Sequence, residues 1–235
     1  MYLWRGRALV LGVESDSTPH SHYALQLSLA LEGEFRLDLG QGPQRSRAAV
    51  LLPGQQHRIA ANGALIAHLF IDPGQRSLRA WQAAAPTAES APCQGLLELW
   101  RMPRPLAACE ELVTAWQAAW LPGYERAPVP DPRVAQALAE LARDPERDAA
   151  ALAAAAGLSL SRFSHLFSQH TGLPFRRYQL WMRQLAAVDQ LAAGANLTTA
   201  AHAAGFADLA HMSRVFHATF GVVPSTLSRI VITTR

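Results

Sequence analysis

Up to residue 72 the apolar positions of this chain come in short runs, and beyond residue 131 they recur every three or four residues. Arg7–Val13 and Tyr23–Leu31 are the first runs, and the second alternates through Leu25, Leu27, Leu29 and Leu31. Glu34–Leu39, Ala48–Leu52 and Ala64–Ile71 continue the series. Alternation with period two predicts strands that bury one face. The breaks carry turn residues: Glu32-Gly33, Gly40-Gln41-Gly42-Pro43, Pro53-Gly54, Asn62-Gly63 and Asp72-Pro73-Gly74. Several short strands at this spacing predict a small barrel or sandwich. The period then lengthens. Gln75–Ala85 predicts a helix with Leu78, Trp81 and Gln82 on one face, 86–92 a loop, and Gln94–Arg101 a short strand or helix. Leu106, Cys109, Leu112, Val113, Trp116 and Trp120 follow at helical spacing behind Pro105, which suits a first turn. That stripe either packs on the sheet or forms the seam of a dimer.

Three prolines among residues 122–130 mark a short, stiff linker. The chain therefore divides into a domain at 1–122, a linker at 123–130 and a second domain at 131–235. Asp131-Pro132 opens a helix as N-cap and first residue, with Val134, Leu138 and Leu141 as its stripe. Asp148 caps the next helix, through Leu152 to Ala156, and Gly157 turns the chain. A helix from Ser159 or Ser161 ends before Gly172. It faces Phe163, Leu166 and Phe167 inward and leaves Leu160, Ser161, Ser164, His165 and Gln169 outside. Pro174 opens a long helix to about Ala193, with Tyr178, Trp181, Leu185, Val188 and Leu191 for packing, closed by Gly194-Ala195-Asn196. The plan then repeats. Thr198–Ala204 is a helix, Gly205-Phe206 the turn and Asp208 a cap; Met212, Val215, Phe216 and Phe220 point inward, and Leu209, Ala210, Ser213, Arg214 and His217 outward. Pro224-Ser225 begins a last short helix. Phe163-Ser164-His165-Leu166-Phe167 with Gly172 and Met212-Ser213-Arg214-Val215-Phe216 with Gly221 are copies of one pattern, offset by 49 residues. Each copy is a helix-turn-helix, a device for placing a helix in a DNA major groove, and two copies predict two consecutive contacts.

Charge supports that division. Residues 1–125 hold 10 Arg against 11 Asp and Glu, and residues 126–235 hold 11 Arg against 7, so the basic excess lies with the helices. There is no lysine, so every basic contact must come from arginine. Leu160, Ser161, Arg162, Ser164, His165, Gln169, Arg176, Leu209, Ala210, Ser213, Arg214 and His217 are the candidate DNA-contacting residues. Arg214 suits a bidentate pair with guanine or an internal ion pair with Asp208, while Arg162, Arg176, Arg177 and Arg183 suit phosphates or a solvated surface. The two cysteines, Cys93 and Cys109, fit a reduced interior better than a disulfide framework. No apolar run is long enough for a membrane span, and the first residues lack the pattern of a secretory signal, so a cytoplasmic protein is expected.

One constellation stands apart in the strand region. His20-Ser21-His22 is followed by Gln26 and Gly33, and later by Pro53-Gly54 and His57. This resembles the paired motifs of the cupin barrel, with Gln26 where a glutamate is usual. The resemblance implies His20, His22, Gln26 and His57 as ligand-binding residues and as a set for a divalent metal; imidazoles suit Zn, Fe, Ni or Cu. They equally suit the lining of a metal-free pocket, and no cofactor is required.

The helical region resembles the AraC-type (arabinose-regulator) family of bacterial transcription regulators. The resemblance rests on Ala203-Ala204-Gly205-Phe206, Asp208, Met212-Ser213-Arg214-Val215-Phe216, Gly221 and Pro224-Ser225, and in the first unit on Ala156-Gly157-Leu158-Ser159, Phe163, Leu166-Phe167, Thr171-Gly172 and Pro174-Phe175. It implies an α+β protein: a small cupin-like β-barrel with following helices, then an all-α domain with two helix-turn-helix motifs joined by a long helix. The implied partners are double-stranded DNA, a small-molecule effector and RNA polymerase, with no membrane. A homodimer is implied through the Leu106–Trp120 helix. The implied role is a sensor and not an enzyme. The competing readings are a cupin-type metalloenzyme with an accessory DNA-binding domain, and an interaction protein whose sensor has lost its ligand and serves as a dimer module.

Overall fold

The computed structural model describes residues 2–4, 7–13, 16–72, 92–102, 105–121, 131–220 and 224. The helix expected over Gln75–Ala85, the loop expected over 86–92 apart from Pro92, the linker at 123–130, Gly221 and the helix expected after Pro224 lie outside them. Contacts divide the chain into two compact units. The first comprises Met1–Asp72, Leu78–Glu125 and Val215–Arg235, and the second Pro73–Ser77 and Arg126–Arg214.

The first unit opens with eight strands: β1 (Tyr2–Trp4), β2 (Arg7–Val13), β3 (Leu25–Glu32), β4 (Phe35–Asp38), β5 (Gln44–Ser46), β6 (Ala48–Leu51), β7 (Arg58–Ala60) and β8 (Leu65–Ile71). They form a five-stranded sheet in the order β1-β2-β8-β3-β6 and a three-stranded sheet in the order β5-β4-β7. All pairings are antiparallel. The expected barrel is thus two sheets, and among the described strands its wall is not closed. No ladder among the described strands joins the edges of the two sheets. Three strands escaped the sequence reading: β1, β5 and β7 have three residues each, too few for an alternation to register.

The large sheet buries both faces. Leu25, Leu27, Leu29 and Leu31 of β3 lie with Leu9, Leu11, Leu65, Ala67, Leu69 and Ile71 against α1 (Cys93–Arg101) and α2 (Leu106–Trp120). Gln94–Arg101 is therefore helical. On the opposite face Ala30, Ala49, Leu51 and Ile66 pack with Phe35, Ile59, Ala61 and Ala64, which come from the small sheet and its loops. Cys109, Val113, Trp116 and Trp120 are almost wholly buried within this chain, the two indoles edge-on at 5.3 Å. The stripe thus forms the core and is not exposed as a dimer seam. Pro105 sits at the N-cap of α2, one residue before the expected first turn.

The remaining helices are α3 (Pro132–Arg143), α4 (Ala149–Ala155), α5 (Leu160–Thr171), α6 (Phe175–Ala192), α7 (Leu197–Ala203) and α8 (Leu209–Phe220). Their starts follow the sequence. Asp131, Asp148 and Ser159 cap α3, α4 and α5 by accepting from backbone N–H groups, and Asp208 accepts from His211 N at 2.6 Å. Asn196, expected to finish the long helix, instead caps α7 by accepting from Thr199 N. Gly172 ends α5 in the left-handed region, at φ 76°. Phe163 and Phe167 pack with Phe175 and Tyr178 at ring separations of 5.3–5.9 Å. Two stripes are rotated from expectation. Ala137 is buried in α3 where Leu138 was expected, and Gln184 and Ala187 are buried in α6 where Leu185 and Leu191 are half-buried.

Trp116 touches both the sheet and Trp120. Its replacement by alanine should lower unfolding free energy by about 3–5 kcal/mol. Chemical denaturation of the full chain, followed by far-ultraviolet circular dichroism, checks this.

Candidate functional site

The histidines far apart in sequence are brought together by backbone pairing. His20 N donates to His57 O at 3.0 Å and His57 N donates to His20 O at 2.9 Å, so the two residues form an isolated bridge. Gly54 N donates to His22 O at 2.8 Å, which clips the Pro53–Gln56 turn to the same segment. The rings then stand at 4.2 Å (His20–His57), 5.0 Å (His22–His57) and 5.9 Å (His20–His22). One ligand-capable atom from each of the three lies within 4.8 Å of the others, and all three residues are buried.

Each ring is oriented by a backbone carbonyl. The Nδ1–H groups of His20, His22 and His57 donate to Thr18 O (2.8 Å), Ala24 O (2.9 Å) and Gln55 O (2.9 Å). A neutral imidazole has one N–H, so these bonds place the lone pair of each ring on Nε2. His57 Nε2 is buried with no hydrogen-bond partner among the described residues. His22 Nε2 lies 2.6 Å from Gln26 Oε1, so two electron-pair donors face each other. Protonation of the ring satisfies this contact, and so does turning over the Gln26 amide, which brings its Nε2–H to the ring lone pair. Burial opposes the proton. It pushes the His22 pKa down to about 4, against the raising effect of the Gln26 contact, and the His57 pKa down to about 3. This geometry suits a cation bound through imidazole nitrogens whose second nitrogens are carbonyl-anchored.

The sequence reading missed two members of this network. Gln26 Nε2 donates to Ser28 Oγ at 2.9 Å and lies 3.0 Å from His68 Nδ1, and Ser28 Oγ lies 2.9 Å from the same nitrogen. All three side chains are buried. Gln26 and Ser28 fill the alternate positions of β3, facing away from the helices, but nothing in the local pattern joins them to His68. Ser28 pairs in register with His68 of β8.

The helical residues expected at DNA fall on surface. Leu160, Ser161, Arg162, His165 and Gln169 of α5 are exposed and Ser164 is half-buried; Arg176 at the start of α6 is exposed. On α8, Ala210, Arg214 and His217 are exposed, while Leu209 and Ser213 are half-buried. None of the twelve is buried, and the buried residues Phe163, Phe167, Met212 and Phe216 lie on the opposite faces. Arg183 departs from expectation. Its Nη1 donates to Gly205 O at 3.0 Å and its Nε is buried, so the side chain is turned into the protein and not toward a phosphate.

Residues 152–230 match the family model of a helix-turn-helix domain. No curated protein sequence matches the chain. Among solved structures, the chain is similar to an apo ToxT variant from Vibrio cholerae, with TM-score 0.63 and 12% identity over 98% of this chain and 100% of that one. It is also similar to Vibrio cholerae ToxT bound to (E)-4-(8-methylnaphthalen-1-yl)but-3-enoic acid, with TM-score 0.62 and 10% identity over 97% and 100% of the two chains. At these identities the likeness establishes the fold. No described helix is long and apolar enough to cross a membrane.

The depressed histidine pKa values fix a pH dependence. The unfolded chain binds protons below about pH 6.5 that folded His22 and His57 refuse until about pH 4 and about pH 3. Their neutral burial therefore favours the fold above pH 6.5 and progressively disfavours it as pH falls toward those values. Metal-free protein should show a lower denaturation midpoint at pH 5 than at pH 7.5. His57→Gln should reduce that difference.

Proposed function

We propose, from the premise that residues 152–230 form an AraC-type helix-turn-helix domain, that the chain is a sequence-specific regulator of transcription. Its helical domain reads double-stranded DNA, and its N-terminal domain holds an effector at the histidine cluster. The observation that carries the DNA reading is the pair of helices α5 and α8, each anchored by buried aromatic or methionine side chains and presenting polar residues and arginine outward. In this reading the outward residues of α5 and α8 enter successive major grooves. Arg214 pairs with a guanine edge, Ser161, Ser164, His165, Gln169 and Ser213 bond to bases or phosphates, and Arg162 and Arg176 bind phosphates.

The effector reading is supported by the buried polar cluster within the N-terminal sheets and by the organic acid bound to ToxT, whose fold is similar. The donor set fits a divalent ion. His20, His22 and His57 would hold it through Nε2, with Gln26 Oε1 beside them. When bound, the ion would supply a fixed positive charge to an anionic effector. The chain's own residues orient the rings through carbonyls and hold the site away from solvent.

Two measurements test this. Arg214→Ala should weaken binding to selected DNA by about 1–3 kcal/mol and relax preference at one base pair; equal losses on selected and random DNA would instead assign Arg214 to a phosphate. Equilibrium dialysis against zinc should give one ion per wild-type chain and sharply weaker retention by His57→Ala. Wild-type protein that retains no zinc would leave an organic effector as the occupant of the cluster.

A further inference from the structure

We infer that Gln179 and Arg183 of α6, with Glu146, form a junction that sets the spacing at which the two helix-turn-helix units meet DNA. The inference rests on the DNA reading above.

Gln179 and Arg183 are four residues apart, so they project from one face of α6, a turn from each other. Gln179 Nε2 donates to Arg147 O at 2.9 Å, in the connection between α3 and α4 that leads into the first unit. Arg183 Nη1 donates to Gly205 O at 3.0 Å, in the turn between α7 and α8 of the second unit. The two attachment points also touch each other. Gly205 has φ +76°, and a Cβ there would lie 2.7 Å from Cγ and Cδ of Glu146, the residue before Arg147. The connecting helix, the approach to the first unit and the turn of the second thus converge on one place.

The chemistry of the convergence is not what stability alone would select. Arg183 Nε is buried and finds no hydrogen-bond partner among the described residues. Partial burial of a guanidinium carries a desolvation cost, and an apolar side chain of similar length fills the same space without it. What the guanidinium adds is direction, because its N–H groups point from a rigid plane and accept a carbonyl in few positions. Register-fixing is the best-attested use of such buried polar contacts.

The quantity at stake here is the placement of α5 relative to the first turns of α8. Recognition helices in successive major grooves are separated by about 34 Å, one turn of roughly 10 base pairs. One added base pair therefore moves the second contact by roughly 3.4 Å and rotates it by roughly 35°. A junction fixed by directed hydrogen bonds should reject that change, and one held by apolar packing should tolerate it. Arg183 is thus a positioning residue, acting through the Gly205 turn without touching DNA.

The test selects bound sequences from random duplexes with the full-length chain and with Arg183→Met. Wild type should yield two short motifs at a single spacing. Arg183→Met should retain both motifs, accept spacings changed by one base pair, and bind the wild-type spacing about tenfold more weakly. Its affinity for DNA carrying one motif should be unchanged. An equally sharp spacing in Arg183→Met would overturn the inference. Two motifs in wild type with no preferred spacing would also overturn it while leaving the DNA reading intact, and absence of any motif in wild type would overturn both. If Arg183→Met fails to fold by circular dichroism, Gly205→Ala presses the same junction from the other side. It should broaden the spacing, and Glu146→Ala in the same chain should sharpen it again; failure of that rescue would sink the proposal.

Discussion

The alternation of β3 is the constraint on which the first unit depends. Leu25, Leu27, Leu29 and Leu31 face α1 and α2, while Gln26, Ser28 and Ala30 face the other way. A slip of one residue in pairing would exchange the two sets. It would put an amide and a hydroxyl against Trp116 and Trp120, and four leucines against the histidines. Burying the leucines therefore selects the register, and the register delivers Gln26 to His22 and Ser28 to His68. The polar cluster is assembled by apolar energy, as it must be, because bringing several imidazoles out of water is itself unfavourable. The backbone bridge between His20 and His57 completes the placement with two hydrogen bonds that add no side-chain demand.

This explains what could be read from the residues alone. Arg7–Val13 coincides with β2, and the leucine series with β3, because burial on one face leaves a period in the chain. The edges β5 and β7 left none. Gln44, Arg45 and Ser46 are polar and mostly exposed, so nothing in their composition distinguishes a strand from a loop. His20, His22, Gln26 and His57 were legible through spacing. Ser28 and His68 were not, because their role comes from register across two strands forty residues apart, which no local pattern records. Arg183 was misread for a related reason. Its position on α6 was apparent, but the carbonyl that turns it inward belongs to a residue 22 positions away.

In the helical domain, local signals carried further. Helices of seven to twelve residues, such as α4, α5 and α7, are marginal in isolation. Their ends must therefore be written locally, in Asp148, Ser159, Gly172 and Asn196, and their middles must be held by tertiary packing. Phe163 and Phe167 supply that packing for α5, and once they are inside, the helical period leaves Ser161, His165 and Gln169 no other place than the surface. In the stripes that rotated, Ala137, Gln184 and Ala187 are buried while the neighbouring Leu138 and Leu185 are half-buried. A hydrophobic pattern ranks the leucines first and so misses a buried alanine or glutamine on the face that tertiary packing selects.

The absence of lysine from the chain gives these observations a common consequence. Every cationic side chain is a guanidinium, which carries direction as well as charge. On the exposed face of α8, Arg214 has the fork that a base edge requires. At the α6 junction, Arg183 spends the same property on a backbone carbonyl. An ammonium could supply charge at either place, but its three donors turn freely and would not favour one partner geometry. In the proposed reading one residue type would supply both a chemical preference at a contact and a fixed interval between contacts. The two arginines differ in what surrounds them: solvent around Arg214, and the Gly205 turn around Arg183.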